Sequence, residues 1–277
     1  MRPKRVAVGM GKAAAVALIL TWSLVPIAFI LVSSFKPSAD IFAVPPRLMF
    51  APTVKHFVDL WAQWRGFFTG LLNSAIITAG ATLLAVVAST MAGYAYSRFR
   101  SPQMAGTALF LIAVRLLPPI VITLPLFPLV NWLRLNDTHL VLILLYATFF
   151  VSLGTLLMRT FIDQIPRELD EAALVDGAGA LRQFIDMTVP MLLPTLVMVG
   201  IMTVSGYFQL FAEPYVMTQG GPARSTEVLA VYLYLDAFRF SAFGSAAATG
   251  WLMVLVSLLL GAGYIWGLRR QMMADAA

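Results

Sequence analysis

The sequence predicts an all-α polytopic membrane protein of six transmembrane helices, and three observations predict it. Of the 277 residues 60% are hydrophobic and only 12% charged, with a mean hydropathy of +0.85, well above that of soluble globular domains. The charges also leave long intervals empty: Lys12 to Lys36, Arg65 to Arg98, Asp137 to Arg159, Asp186 to Glu213 and Arg239 to Arg269. Each interval holds about 20 residues of helix, which at about 1.5 Å per residue crosses a hydrocarbon core of about 30 Å. A sixth stretch, about Thr107 to Val130, is as apolar apart from Arg115 and is flanked by the polar runs RFRSPQ and NWLRLND.

The first span follows a basic N-terminal patch. The apolar run is long and no A-x-A site precedes SSFKPSAD, so it reads as an uncleaved helix, not a signal peptide. Ser33 to Gly70 is expected to be an ordered outer loop. Its prolines at 37, 45, 46 and 52 forbid a continuous helix, and Val54 to Trp64 has the spacing of an interfacial amphipathic helix. In the third span Pro118, Pro119, Pro125 and Pro128 are expected to break the helix repeatedly, which places it beside a pathway. His139 stands at the entrance of the fourth span and reads as interfacial.

After the fourth span comes the segment DEAALVDGAGALRQFIDMTVP, Asp170 to Pro190. Pro166 can open a helix there, with Glu168, Asp170 and Glu171 at the positive end of its dipole, and Gly177 and Gly179 end it. Leu169, Ala172, Ala173 and Asp176 share one face. Leu181, Phe184, Ile185 and Thr188 repeat the spacing as far as Pro190, so the expectation is helix, turn, helix at the membrane surface. Its alanines and glycines leave a low profile that another protein can grip. Between the last two spans, Gly220, Gly221 and Pro222 predict a turn, and Ser225 or Thr226 is expected to cap a short helix with Glu227 in its first turn.

With six spans both termini share a side. That side carries eleven basic residues, Arg100 among them, against seven on the other, so the termini are expected to be cytoplasmic. The net charge of +6 is spread over helix flanks and gives no nucleic-acid surface. There is no cysteine, and His56 and His139 have no metal-ligand spacing, which leaves thiol catalysis, disulfides and a histidine metal site without residues. The sole Gly-Lys pair, Gly11 and Lys12, is followed by Ala13, so the chain has no P-loop, and the predicted spans hold no Asp or Glu for ion coupling.

The run EAALVDGAGALRQFIDMTVP resembles the EAA loop of binding-protein-dependent ABC transporter permeases, with Glu171, Ala172, Ala173, Asp176, Gly177 and Pro190 on the motif positions. SSFKPSADIF, LNSAIITA, AGYAYSRFR and RLLPPIVITLPLF are similar to the carbohydrate-uptake, MalG-like branch. Two stretches depart from that branch. Phe208 and Gln209 stand where it usually has Trp-Asn, and TQGGPARSTEVL is closer to the MalF-type partner.

The resemblance implies a type I ABC importer permease fold: residues 1–277 form one transmembrane permease domain, with 166–190 as its cytoplasmic coupling loop. It also implies a bacterial inner-membrane location and no catalytic residues of the chain's own. The implied partners are a second, MalF-like permease, two cytoplasmic ATPase subunits that bind the ATP, and an extracytoplasmic solute-binding protein delivering a sugar or oligosaccharide. A polyol or glycerol phosphodiester is the alternative cargo, and a secondary carrier the alternative class. Gln209, Tyr207 and Asn131 are candidates to bond sugar hydroxyls with Phe208 or Phe211 stacking on a ring, although each also reads as ordinary interhelical packing. Arg115 either snorkels or caps a carbonyl, or serves a subunit interface or the pathway.

Overall fold

The computed structural model describes residues 2–274 apart from 48, 63 and 100, and every regular element among them is helical. Arg100, counted above in the orientation of the chain, lies outside the described residues. Among the described residues five helices are long and apolar enough to cross a membrane: Gly11–Ser34 within α1 (Arg2–Ser34), Gly66–Arg98 within α3 (Trp64–Arg98), His139–Ile162 (α6), Ala180–Phe208 (α8) and Phe243–Gly267 within α11 (Phe243–Ala274). The remaining expected span is a pair, α4 (Pro102–Arg115) and α5 (Pro119–Trp132), bent by 98°.

The expectation of repeated breaks in this span is corrected to a single one. Pro118 is extended (φ −57°, ψ 135°), because the ring of Pro119 excludes the helical region for the residue before it. Pro119 then opens α5 from its first turn, where a missing N–H costs nothing. Pro125 and Pro128 lie inside α5, each omitting one ladder bond without stopping the helix.

The chain forms two compact units, 1–67 with 233–252, and 68–232 with 253–277. In the first, α1 leaves its whole apolar window exposed, while the loop that follows it is folded. The amphipathic helix predicted there is α2 (Lys55–Ala62), which turns His56 and Leu60 inward. His56 Nε2 bonds to the Lys36 carbonyl at 2.9 Å, Thr53 N–H donates to the Phe35 carbonyl at 2.8 Å, and the Phe35 and Phe57 rings lie 5.2 Å apart. Gly244 is pressed against the His56 ring so closely that a Cβ there would overlap it.

In the second unit α3 and α6 meet closely at small residues, with Gly80, Ser89 and Gly93 of α3 lying against Ile143, Gly154 and Met158 of α6. Ile77, Ala81, Ala85 and Ser89 recur every fourth residue of α3 with no exposed surface. Gly93 continues the register, and a Cβ on it would sit 2.7 Å from Met158 Cβ. Apolar surface drives little association inside lipid, so close backbone approach at such residues and the dispersion it allows are what hold helices together. Around the seam Met158, Ile162, Ile165, Leu192 and Val199 make a core from α6, the segment after it and α8.

Candidate functional site

The segment singled out in the sequence is a helical hairpin at one end of the second unit. Pro166 flanks α7 (Arg167–Val175) on the outside, and Glu168 and Asp170 occupy its first turn. Gly177 ends the helix at φ +81°, with Gly177 N–H bonded to the Leu174 carbonyl (3.0 Å) and Ala178 N–H to the Ala173 carbonyl (2.9 Å). These are the two bonds of a Schellman turn, which satisfies the last carbonyls of the helix and requires a left-handed residue where Gly177 stands. The second arm does not stop at Pro190 as expected. Ala180–Gln183 passes through a wide turn, Phe184–Thr188, in which Val189 N–H reaches back five residues to the Phe184 carbonyl, and the helix runs on to Phe208. Widening the helix makes room for the Pro190 ring and its missing donor, so the membrane span grows directly out of the hairpin.

Of the motif residues, Ala173 is buried, while Glu171, Ala172, Asp176, Gly177 and Pro190 are exposed. The hairpin presents an apolar rim: Leu174, Val175 and Leu181 are 66, 88 and 72% exposed. A shallow groove beside it is lined by Gly179, Ala180, Leu181, Arg182, Ile185 and Asp186.

What fixes the hairpin is Arg98, the last residue of α3. Its Nε lies 2.7 Å from Asp170 Oδ2, its side chain is 9% exposed, and Nη1 and Nη2 donate to the Ile162 and Ile165 carbonyls at 3.3 Å each. One guanidinium therefore neutralises a carboxylate of α7 and serves the carbonyls left open at the end of α6. Arg167 adds a 2.7 Å bond to the Ser97 carbonyl, and Ser97 Oγ donates to Asp163 at 2.6 Å. This capture turns Asp170 and Ala173 inward and leaves Leu169 exposed. In the sequence Arg98 stands among the charges that orient the chain and within AGYAYSRFR, and nothing local links it to a residue 72 positions later. The only available signal was a basic residue closing one span and an acidic one opening the segment two spans on.

At mid-height two of the pathway candidates come together on one turn of α6. Tyr207 is buried and donates its hydroxyl to the Tyr146 carbonyl at 2.6 Å, with its ring edge-on to Phe150. Arg115 Nη1 donates to the Phe149 carbonyl at 3.2 Å. Phe208 is buried in packing. Gln209 caps α8 with an exposed side chain, and Asn131, near the end of α5, accepts from Asn136 Nδ2 at 2.6 Å.

At the other end of the unit, Asn73 of α3 ties down the loop before α10 (Leu229–Tyr234). Asn73 Nδ2 donates to the Arg224 (3.1 Å) and Glu227 (3.0 Å) carbonyls, and its Oδ1 accepts from His139 Nε2 at 3.0 Å. Ser74 Oγ accepts from Leu229 N–H at 2.8 Å. The cap expected from Ser225 or Thr226 is thus supplied by Ser74 instead, and Glu227 lies buried before the helix rather than in its first turn. His139 is a member of this network. Asn73→Asp keeps the acceptor and loses both donors, leaving the buried Glu227 carbonyl and the half-buried Arg224 carbonyl facing a carboxylate. We expect it to cost about 2–3 kcal/mol, read as a lower melting temperature and as protease access at Arg224, while Asn73→Gln retains part of the stability.

Glu213 of α9 (Ala212–Met217) is 4% exposed, with Oε2 buried and unpartnered among the described residues. Burial pushes its carboxyl pKa up, against a smaller opposing effect of its own backbone hydrogen bond. A carboxyl that holds its proton more tightly folded than unfolded contributes stability that is complete below its unfolded pKa, about 4.3. That contribution is lost as pH rises through the folded value. The melting temperature of the purified protein should therefore fall, relative to Glu213→Gln, as pH is raised from the ordinary carboxyl range. Parallel melting curves for the two proteins across pH would contradict this.

Residues 85–271 match the family model described as binding-protein-dependent transport system inner membrane component. A putative ABC transporter permease of a Caldicellulosiruptor species is 30% identical over 76% of this chain and 77% of its own. A diacetylchitobiose uptake system permease of Streptomyces coelicolor is 29% identical over 74% of this chain and 71% of its own. Among solved structures, a chain of a bacterial ABC transporter involved in alginate import superposes with a TM-score of 0.74 over 96% of both chains, at 15% identity.

Proposed function

Since the chain belongs to the family of binding-protein-dependent transport system inner membrane components, we propose that the Arg98-clamped hairpin is the surface through which ATPase subunits drive it. The observation that carries this reading is the join between hairpin and span. The second arm continues without a break into α8, so a push on Ala180 or Leu181 is delivered to a membrane helix, while Arg98 makes α7 move with α3 and α6. The exposed alanine, glycine and apolar rim allows close approach of another protein, and Glu171 offers a charge to a basic partner group.

In this reading residues 1–277 act as one permease domain with both termini and the hairpin on the cytoplasmic side. A second, MalF-like permease completes the pathway, two ATPases lie beneath, and a solute-binding protein delivers the cargo outside. The cargo is a sugar or oligosaccharide, a reading supported by the diacetylchitobiose system's 29% identity. The test is ATP hydrolysis by the complex reconstituted in vesicles. A saccharide presented by its binding protein should stimulate hydrolysis and be taken up without an ion gradient. Uptake that follows an imposed proton or sodium gradient instead would make the chain a secondary carrier.

A further inference from the structure

The sharp break between α4 and α5 opens a cleft of about 290 Å³ lined by Val114, Arg115, Ile122, Thr148, Phe149 and Ser152. Its depth can be read from α6. Arg115 is bonded to the carbonyl of Phe149, which lies 10 residues after His139 and 13 before Ile162. At about 1.5 Å per residue those ends are roughly 15 and 20 Å away, so the guanidinium sits near the middle of the membrane. A cation at that depth is far from either surface, and its N–H groups need backbone carbonyls, an aqueous cavity or an opposite charge. Among the described residues no carboxylate forms an ion pair with Arg115. One hydrogen bond to a backbone oxygen uses one of its five N–H donors, and the side chain stays exposed in the chain.

The wall opposite is suited to a polyhydroxylated ligand. Thr148 Oγ1 donates to the Leu144 carbonyl at 2.7 Å, leaving its lone pairs to accept, and Ser152 stands one turn further along the same helix. We propose that this cleft is a subsite for the acidic group, a carboxylate or sulfonate, of an anionic saccharide in transit. The planar guanidinium fork takes an oxyanion in two parallel bonds, and Thr148 accepts from a neighbouring sugar hydroxyl. The inference rests on the importer reading above and narrows its cargo to acidic saccharides.

The experiment measures ATP-driven uptake of trigalacturonate and of its neutral counterpart galactotriose into vesicles carrying the full complex with binding protein. The readout is the ratio of acidic to neutral uptake, which does not depend on how much complex forms. Wild type should favour the acidic sugar, Arg115→Gln should lower the ratio about 10-fold or more, and Arg115→Lys should keep part of the preference. An unchanged ratio in Arg115→Gln overturns the subsite. So does loss of the second permease from purified Arg115→Gln complex, which would make a partner carboxylate the occupant. Uptake of neither sugar by wild type overturns the saccharide reading and the subsite together, whereas preference for the neutral sugar overturns the subsite alone.

Discussion

Gly177→Glu should leave the chain inserted in the membrane and abolish substrate uptake, with the ATPases no longer co-purifying. Gly177 has φ +81°, and a Cβ built on it meets nothing within 4 Å, so the fold itself resists substitution only through the backbone. That strain is about 1–2 kcal/mol for an ordinary residue and less for asparagine. Bulk and charge at this position therefore act outward, on whatever approaches the turn, beside the carboxylate of Asp176. The series Gly177→Asn, Gly177→Ala, Gly177→Glu separates the two effects. Asparagine should be close to wild type, alanine should lower the melting temperature slightly with uptake retained, and glutamate should lose uptake without a matching loss of stability. Normal uptake in Gly177→Glu would remove the turn from any role in docking.

The second large effect is expected at Arg98. Arg98→Ala removes the partner of Asp170 and the donors to two carbonyls at the end of α6. Breaking a buried pair from one side costs about 3–5 kcal/mol, because the remaining charge stays poorly solvated. Here that cost is relieved by detaching α7. Hydrogen exchange should therefore rise across residues 167–177 while the α3–α6 seam, held by its small residues, stays protected. Uptake should fall at least about 10-fold even if the ATPases still bind, since 1.4 kcal/mol of lost coupling is already tenfold. Arg98→Lys should rescue only in part, as a single ammonium cannot serve the carboxylate and both carbonyls. Unchanged exchange in α7 would show that the ion pair is incidental.

The parts of this structure legible in the sequence are those set by neighbours along the chain. The charge-free intervals gave five spans, and the glycine after DEAALVD marked the Schellman turn at Gly177. The amphipathic spacing of Val54 to Trp64 gave α2. What could not be read depends on partners distant in sequence. Pro190 looked like a stop because a proline removes a bond, yet one wide turn absorbs the loss. Ser225 and Thr226 looked like a cap for α10, but Ser74, 155 residues away, supplies it. Tyr207 reads equally as a sugar-binding hydroxyl or an interhelical donor, and its partner, the Tyr146 carbonyl, lies 61 residues away. The break at Pro118 was legible as a proline pair, but not its 98° bend, nor that Pro125 and Pro128 would be carried inside a helix.

The central claim is that the hairpin is where the ATPases push, and cross-linking from its rim tests it most directly. The chain has no cysteine, so a single Leu181→Cys, at a position 72% exposed, reports one place only. Labelled with a benzophenone maleimide in the assembled complex and irradiated, it should yield an adduct with the ATPase subunit, whose amount changes when ATP is added. A control cysteine at Leu109, 68% exposed on α4, should give none. Equal labelling from both positions, or adducts with lipid alone from Leu181, would contradict the account.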